Sequence, residues 1–340
     1  MNTSRSEAAP VAGSGRFAPP AAACPICGTA SALAYQRLYD DRYAYPGFYN
    51  VYRCESCGHM HLDHRFSPTE LANLYTEYYP RGTYSVDQHR VPPVPRGLGA
   101  WLRGDRCAAF YWVPERVRVL DIGCGYCESL GYHKARGCEV YGVEADANAR
   151  TIADAFGYTV HIGLFDPSLY QTEYFDFVTL DQVIEHVTDP KEFLAGVARV
   201  LKPGGTVVVS TPNPSGFGRR LFGARWIHWH IPYHLQYFTL HSMRLLAETV
   251  GLEVRAQCTL THSEWLYFQF MHLIAIPPCG TSHPFWAAKP WFTRQAHLRS
   301  CFLAMLRKMK INQLLSRALD LAGIGDNRLF MLRKPSKAIS

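Results

Sequence analysis

Four cysteines of this chain stand in two matching frames, Cys24-Pro25-Ile26-Cys27-Gly28 and Cys54-Glu55-Ser56-Cys57-Gly58, with 26 residues between the pairs. Each reads Cys-x-x-Cys-Gly, the knuckle in which two thiolates converge on one ion. Four thiolates in a tetrahedral array suit zinc, and a four-cysteine site leaves no open position for water. The expected role is therefore structural. Aromatic alternation from Tyr45 to Val51 fits strands between the pairs, so a zinc ribbon is predicted over 23–66. Two roles stand open for it. One is a folding staple. The other is substrate recognition, with His59, His61, His64 and the tyrosines Tyr75, Tyr78, Tyr79 and Tyr84 reaching toward an active site. The remaining seven of the 11 cysteines are scattered and read as small buried apolar residues. An odd total argues for a reducing compartment over a disulfide framework.

A second chemical signal is Val119-Leu120-Asp121-Ile122-Gly123-Cys124-Gly125. A β-branched run ends, and Gly-x-Gly turns the chain into a helix-compatible stretch. Glycine lets the backbone turn sharply and approach a ligand with no Cβ in the way. Ligands of parallel sheets bind outside the C-terminal strand ends. A dinucleotide fingerprint wants a third small residue where Glu128 stands, which disfavours a pyrophosphate. Asp121 at the strand end would repel a pyrophosphate and suit a cationic or amine-bearing ligand. Glu144, nineteen residues after Gly125, is placed to accept hydrogen bonds from two ribose hydroxyls.

The elements that must hold these groups follow from periodicity. Strands are predicted at 117–120, 139–143, 159–162, 175–180 and 206–210. Helices are predicted at 126–136, 147–156 and 190–201, the last stopping at Pro203-Gly204-Gly205. A helix at 240–250, a strand at 252–260 and a last strand at 328–332 complete the pattern. Strands alternating with helices imply an α/β, Rossmann-like doubly wound sheet. Four zones result: a tail at 1–22 that reads as disordered, the ribbon at 23–66, a connector at 67–115, and the α/β domain at 116–335. A helical insert at about 262–324 opens on an apolar run from Glu264 to Ile274 and continues with basic residues. It reads as an extra helical pair packed on the sheet, or as a lid or membrane-touching surface. The formal net charge of +7 is a modest bias without a dense Lys/Arg run. No run is apolar enough for a membrane span, and the first twenty residues lack the apolar core of a signal peptide. The expected location is the cytoplasm.

The successive strings VLDIGCGYCESL, YGVEAD, YFDFVTLDQVIEHVTDP and LKPGGTVVVSTPN resemble the motifs of class I S-adenosylmethionine-dependent methyltransferases, in order and in spacing. The resemblance covers about 116–260, and GDNRLFMLRK looks like that family's final antiparallel strand. It implies S-adenosyl-L-methionine as cofactor. Asp121, Gly123 and Gly125 would hold its methionine and ribose ends, and Glu144 the ribose. Asp181 and Gln182, after the fourth strand, would approach the methionine portion, and Asp166 is the weaker counterpart of an adenine-binding acid. His186, in Ile184-Glu185-His186-Val187, falls where the methyl group should sit and is a candidate base. His234 lies in a His-Leu-x-x-Phe block that resembles one in small-molecule methyltransferases with similar cysteines. It is a second candidate, lining the acceptor pocket with His228, His230, Trp226 and Trp229.

The expected acceptor is a small molecule: a sugar, a glycan precursor or a secondary metabolite. An Asn/Asp-Pro-Pro-Tyr loop is absent after the fourth strand, which lowers N-methylation of DNA bases. Two rivals remain. One is an RNA methyltransferase whose ribbon grips nucleic acid through a basic face. The other is a cofactor-binding module without catalysis.

Overall fold

The computed structural model describes residues 22–64, 66–79, 85–286 and 293–336. Residues 1–21 of the expected tail, and Tyr84, lie outside them. The ribbon has four strands, β1 (Ala22–Ala23), β2 (Ala30–Leu38), β3 (Tyr49–Cys54) and β4 (Met60–Leu62). All pair antiparallel, and each cysteine pair sits in a tight turn at one end of this sheet. Gly28 and Gly58 have φ of +76° and +69°, the left-handed conformation that closes each turn. The connector carries helix α1 (Pro68–Asn73), started by a capping box between Ser67 and Glu70. A π-helical turn at Leu74–Tyr78 extends it, and helix α2 (Gly97–Arg103) follows after the Pro-rich loop.

The α/β domain then runs β5 (Arg118–Ile122), α3 (Glu128–Lys134), β6 (Glu139–Glu144), α4 (Ala149–Phe156), β7 (Thr159–Ile162), β8 (Phe175–Asp181), α5 (Pro190–Val200) and β9 (Leu201–Pro212). After them come α6 (Phe217–Phe222), β10 (Gln236–Tyr237), α7 (Leu240–Thr249), β11 (Glu253–Thr259), α8 (Glu264–Leu273), α9 (Arg294–Lys308), α10 (Ile311–Leu321) and β12 (Asn327–Arg333). The large sheet has seven strands in the order β11-β12-β9-β8-β5-β6-β7. β5, β6, β7, β8 and β9 are parallel, and β12 runs antiparallel to both its neighbours. The predicted doubly wound sheet with a final antiparallel strand is what forms. Its central strands are β-branched and buried on both faces, as parallel strands must be. β9 begins directly at Leu201, because Gly204 at φ +78° lets Pro203-Gly204-Gly205 bend without leaving the sheet.

Two features depart from the sequence reading. Among the described residues the insert holds three helices, not a pair. The ribbon is not a free module: β10, from the segment between β9 and α7, joins its sheet beside β4. One core unites Val51, Met60 and Leu62 of the ribbon with Leu74 of the connector and Trp226, Trp229, Tyr233 and Tyr237. The knuckle residues Cys24, Ile26, Cys54 and Cys57 pack in a core that also contains Phe238 and Met243.

Candidate active site

Parallel register sets the nucleotide-facing edge. Asp121 pairs with Gly142 on β6 and Thr179 on β8. Thr179 Oγ1 donates to Asp121 Oδ1 at 2.5 Å, and Ser129 Oγ, in the first turn of α3, donates to Oδ2. Asp121 is thus buried with both oxygens engaged, and burial pushes it up to about 6. The turn after it needs glycine. Gly123 has φ +78°, and a Cβ there would meet Val183 Cγ2 at 2.5 Å. Gly125 has φ +50° and faces open space. Glu144, at the tip of β6, accepts from Gly125 N (2.8 Å) and Asp146 N (2.9 Å), which draws β6 onto the glycine turn. Asp181, at the tip of β8, accepts from Ala109 N at 3.2 Å. Burial, with the Asp121 charge in support, pushes it up to about 7. Two carboxyls held above their usual range by burial, with the Asp121 charge felt at Asp181 and the Glu144 charge at Asp121, form a cradle that a cation would relieve.

The structure brings Asp121, Gly123, Gly125, Glu144 and Asp181 to one edge, and turns two other expected residues away. Gln182 has φ +56°, and its amide donates to Ser210 Oγ (3.1 Å) and Asn327 Oδ1 (2.9 Å). Its side chain braces β8 to β9 and β12. Asp166 is exposed and caps the short turn at Pro167–Leu169 by accepting from Ser168 N at 2.8 Å. Leu164, just before it, is 81% exposed at the end of β7, an apolar surface open toward the strand tips.

Next to this edge stands a polar cluster built from three parts of the chain. The turn Ile184–His186 follows β8. Glu185 is fully buried: Oε2 accepts from Thr211 Oγ1 at 3.0 Å, Oε1 has no partner, and burial pushes the carboxyl up to about 8. His186 Nδ1 lies 3.0 Å from the Tyr75 hydroxyl, and burial lowers its pKa to about 4. His234 meets the His186 ring edge-on at 4.7 Å. One donor atom each from Glu185, His186 and His234 lie within 4.8 Å of one another, a set of a kind that divalent ions also accept. His234 Nδ1 is 2.9 Å from the His228 carbonyl. A carbonyl only accepts, so Nδ1 carries the proton and Nε2 keeps its lone pair. That Nε2 faces His230 Nδ1 at 3.4 Å.

The ribbon closes this cluster. The buried Asp40 carboxylate accepts from the backbone N–H groups of Arg42, Tyr43 and Tyr45, each at 2.9 Å, and so shapes the loop between β2 and β3. Tyr43 packs edge-on against Tyr79, His230 and Tyr233. Arg42 donates through Nη2 to the Ile227 carbonyl. Buried atoms without partners concentrate here: Arg42 Nε, Glu185 Oε1, His228 Nε2, His230 Nε2 and the Tyr233 hydroxyl. Buried polar atoms are rarely left unmatched, so this concentration marks a place for polar ligand groups. Of the tyrosines named for recognition, Tyr75 and Tyr79 lie at this cluster, and Tyr78 packs on Tyr45. The ribbon histidines do not reach it. His59 bonds Gln236 Oε1 at 2.9 Å, His61 bonds Ser31 Oγ at 3.1 Å, and His64 lies near Glu70 at the surface. Arg42 and Tyr43 escaped the sequence reading because no local motif marks them. Glu185 was signalled only as the neighbour of His186.

The four ribbon thiols are free and mutually close. Sγ separations are 3.6 Å (Cys24–Cys57), 3.4 Å (Cys27–Cys54) and 3.7 Å (Cys27–Cys57). A disulfide would need about 2.0 Å. Zinc–sulfur bonds of about 2.3 Å in a tetrahedron place sulfurs about 3.8 Å apart, so the residues fit that ion. The Ile26 and Cys57 amides donate to Cys24 Sγ and Cys54 Sγ, both at 3.4 Å, in support of thiolate charge. Burial outweighs these donors and pushes the Cys24 thiol up to about 11, an environment that wants a cation before it ionises.

Residues 96–257 match a family model described as a methyltransferase domain. The ribbon and the three-helix insert lie outside that match. A ubiquinone biosynthesis O-methyltransferase of Maricaulis maris is 34% identical over 179 residues, covering 48% of this chain and 68% of that protein. One of Cereibacter sphaeroides is 38% identical over 129 residues, covering 35% of this chain and 51% of that protein. The chain thus spans two thirds of the first relative and about half of the second. Among solved structures, phosphoethanolamine N-methyltransferase 2 of Haemonchus contortus, in complex with S-adenosyl-L-methionine, is 19% identical with a TM-score of 0.47, over 78% of this chain and 60% of that one.

Proposed function

We propose that this chain, which belongs to the class I S-adenosylmethionine-dependent methyltransferases, transfers a methyl group to a hydroxyl oxygen of a small-molecule acceptor. S-adenosylmethionine, when bound, supplies a methyl group on a sulfonium, open to in-line displacement. Glu144 would take the ribose hydroxyls in place of its present backbone donors. Gly123 and Gly125 admit the cofactor closely, and the raised carboxyls of Asp121 and Asp181 favour its cationic end.

A hydroxyl has a high pKa and needs a base as its oxygen attacks. The observation that carries the reading is the tautomer of His234, fixed by the His228 carbonyl, which leaves Nε2 an acceptor facing His230 Nδ1. Burial, with His186 beside it, holds the imidazole well below its usual pKa, so it is neutral and needs a counter-charge nearby before it takes a proton. Glu185 stands ready to steady the imidazolium, since an adjacent cation would return its raised pKa toward the normal range. Tyr75 fixes the His186 ring from the connector side. The relatives are named O-methyltransferases, which favours oxygen as the methylated atom but lends no support to a sugar in particular. The ribbon supports a small molecule over RNA: residues 23–66 carry four arginines against four acids, which leaves no net basic grip.

The test pairs labelled cofactor with a variant. The chain is incubated with methyl-labelled S-adenosylmethionine and cell extract, and small-molecule, lipid, protein and RNA pools are separated. Label in the small-molecule or lipid pool is expected. His234→Asn keeps a donor for the His228 carbonyl but removes the Nε2 lone pair. It should cut incorporation by about 10²–10⁴-fold with calorimetric cofactor affinity unchanged. Label in RNA, or full activity of the variant, would overturn the reading.

A further inference from the structure

The second helix of the insert, α9, is capped by Thr293, whose side chain accepts from Ala296 N, and runs to Lys308. Four of its apolar residues, or those just past its end, are turned outward: Leu298 (65% exposed), Phe302 (57%), Met305 (47%) and Met309 (61%). Their spacing of four, three and four places them in one stripe along the helix. Single exposed apolar residues are ordinary, but a continuous stripe is not. The charges beside it have one sign. Arg299 flanks it on one side and Lys308 on the other, Lys310 lies just past the helix end, all three are exposed, and no Asp or Glu occurs anywhere from 294 to 319.

We propose that α9 docks this protein on an anionic lipid surface, lying in the plane of the interface with Leu298, Phe302, Met305 and Met309 among the acyl chains. Fifteen residues give a helix of about 22 Å, which no charge pattern of this kind would carry across a bilayer. None of the described helices is long and apolar enough to cross a membrane. Lys308 and Lys310 have stems long enough to follow the apolar surface while their ammonium groups reach phosphate level. A second copy of the chain is the poorer occupant. A two-fold contact along this stripe would set its cationic margins against their own images. A nucleic acid would leave the apolar stripe unmatched.

The docking face is mechanically joined to the acceptor cluster. Arg307 on α9 pairs with Glu264 on α8 at 2.8 Å. From α8, Gln269 Oε1 accepts from Ile227 N at 2.8 Å, and Trp265 packs on His228 at 4.8 Å. The wall that holds His228 and His230 is therefore two helices away from the bilayer. Docking itself does not rest on which acceptor is methylated.

The experiment is sedimentation of the full chain with phosphatidylcholine vesicles, with and without phosphatidylglycerol. Binding is expected only with the anionic lipid and should weaken as salt rises. Lys308→Gln with Lys310→Gln should lower the partition coefficient about 25-fold, at about fivefold per charge. Phe302→Ser should lower it as well, and all variants should bind S-adenosylmethionine like the parent. Equal sedimentation with neutral vesicles, or parent-like binding by both variants, would overturn the proposal. So would a dimer on size exclusion that Phe302→Ser dissolves, which would assign the stripe to a second copy. The parent's dependence on anionic lipid needs no variant, so a misfolded variant does not rescue the idea.

Discussion

Gly123→Ala tests the cofactor turn most directly, because its cost can be worked from two separate features of the turn. The residue sits at φ +78°, where an L-residue costs about 1–2 kcal/mol relative to glycine. The new Cβ would also lie 2.5 Å from Val183 Cγ2, closer than real Cβ contacts come. Overpacking of this kind costs about 1–3 kcal/mol. Together the substitution should destabilise by about 2–5 kcal/mol. A chain of 340 residues has an unfolding entropy of roughly 0.7 kcal/mol/K, so Tm should fall by about 3–7 °C. Val183 leads into the turn that carries Glu185 and His186, so displacing it should also weaken S-adenosylmethionine binding, read by calorimetry. The two causes separate in a double-mutant cycle. In a Val183→Ala background the clash is gone while the backbone strain stays, so Gly123→Ala should cost about 1–3 kcal/mol less there. An equal loss in both backgrounds would refute the contact, and no loss in either would refute the left-handed turn.

Two further predictions follow from buried groups. If the four thiols hold zinc, a strong chelator should abolish label incorporation while cofactor affinity survives, and so should Cys57→Ser, because the ribbon packs on the segment carrying His234 and not on the glycine turn; metal content and calorimetry check this together. His133 is fully buried with both ring nitrogens unpartnered, and burial lowers its pKa to about 4. The unfolded chain then binds a proton near pH 6.5 that the native state refuses, so this contribution is present above that pH and lost as pH falls toward 4. His133→Gln does not titrate and should lose about 2 kcal/mol less than the parent between neutral pH and about pH 5, measured by urea unfolding at each pH.

What was legible in the sequence was whatever a short window fixes. Val119-Leu120-Asp121-Ile122-Gly123 announces a buried strand and a turn needing φ > 0, and the structure has both. The two Cys-x-x-Cys-Gly frames announce four convergent thiols, because a knuckle is made by five consecutive residues, and the four Sγ atoms do lie together. What was not legible depended on where a side chain turns after its backbone is placed. Gln182 stands where a ligand contact is expected, yet its left-handed backbone swings the amide onto Asn327. Asp166 follows β7 as an adenine-binding acid would, but a proline directly after it starts a turn that its carboxylate caps. Arg42 and Tyr43 belong to a loop whose shape comes from the single buried carboxylate of Asp40. Nothing in their own window tells that the loop folds back on His230.

The least legible relation is also the one that ties the ribbon to chemistry. Leu235 N donates to the Glu185 carbonyl at 2.7 Å, and Leu235 O accepts from Leu62 N at 3.1 Å. One residue therefore links the turn carrying Glu185 and His186 to the last strand of the ribbon. Next to it, Gln236 and Tyr237 pair with His61 and Met60, and Thr239 Oγ1 donates to the Cys57 carbonyl at 3.0 Å while capping α7. His234 sits at the head of this ladder. Its lone pair is aimed by the His228 carbonyl, but its distance from His186 is set by how firmly residues 235–239 are held on both sides. The cysteine knuckle fixes the far side through one carbonyl and one short strand. A ribbon that were only a folding staple would have no need to share a sheet with the acceptor segment. Here the four-cysteine cluster and the candidate base lie on one hydrogen-bonded path, so loosening the knuckle should move the base before it unfolds the sheet.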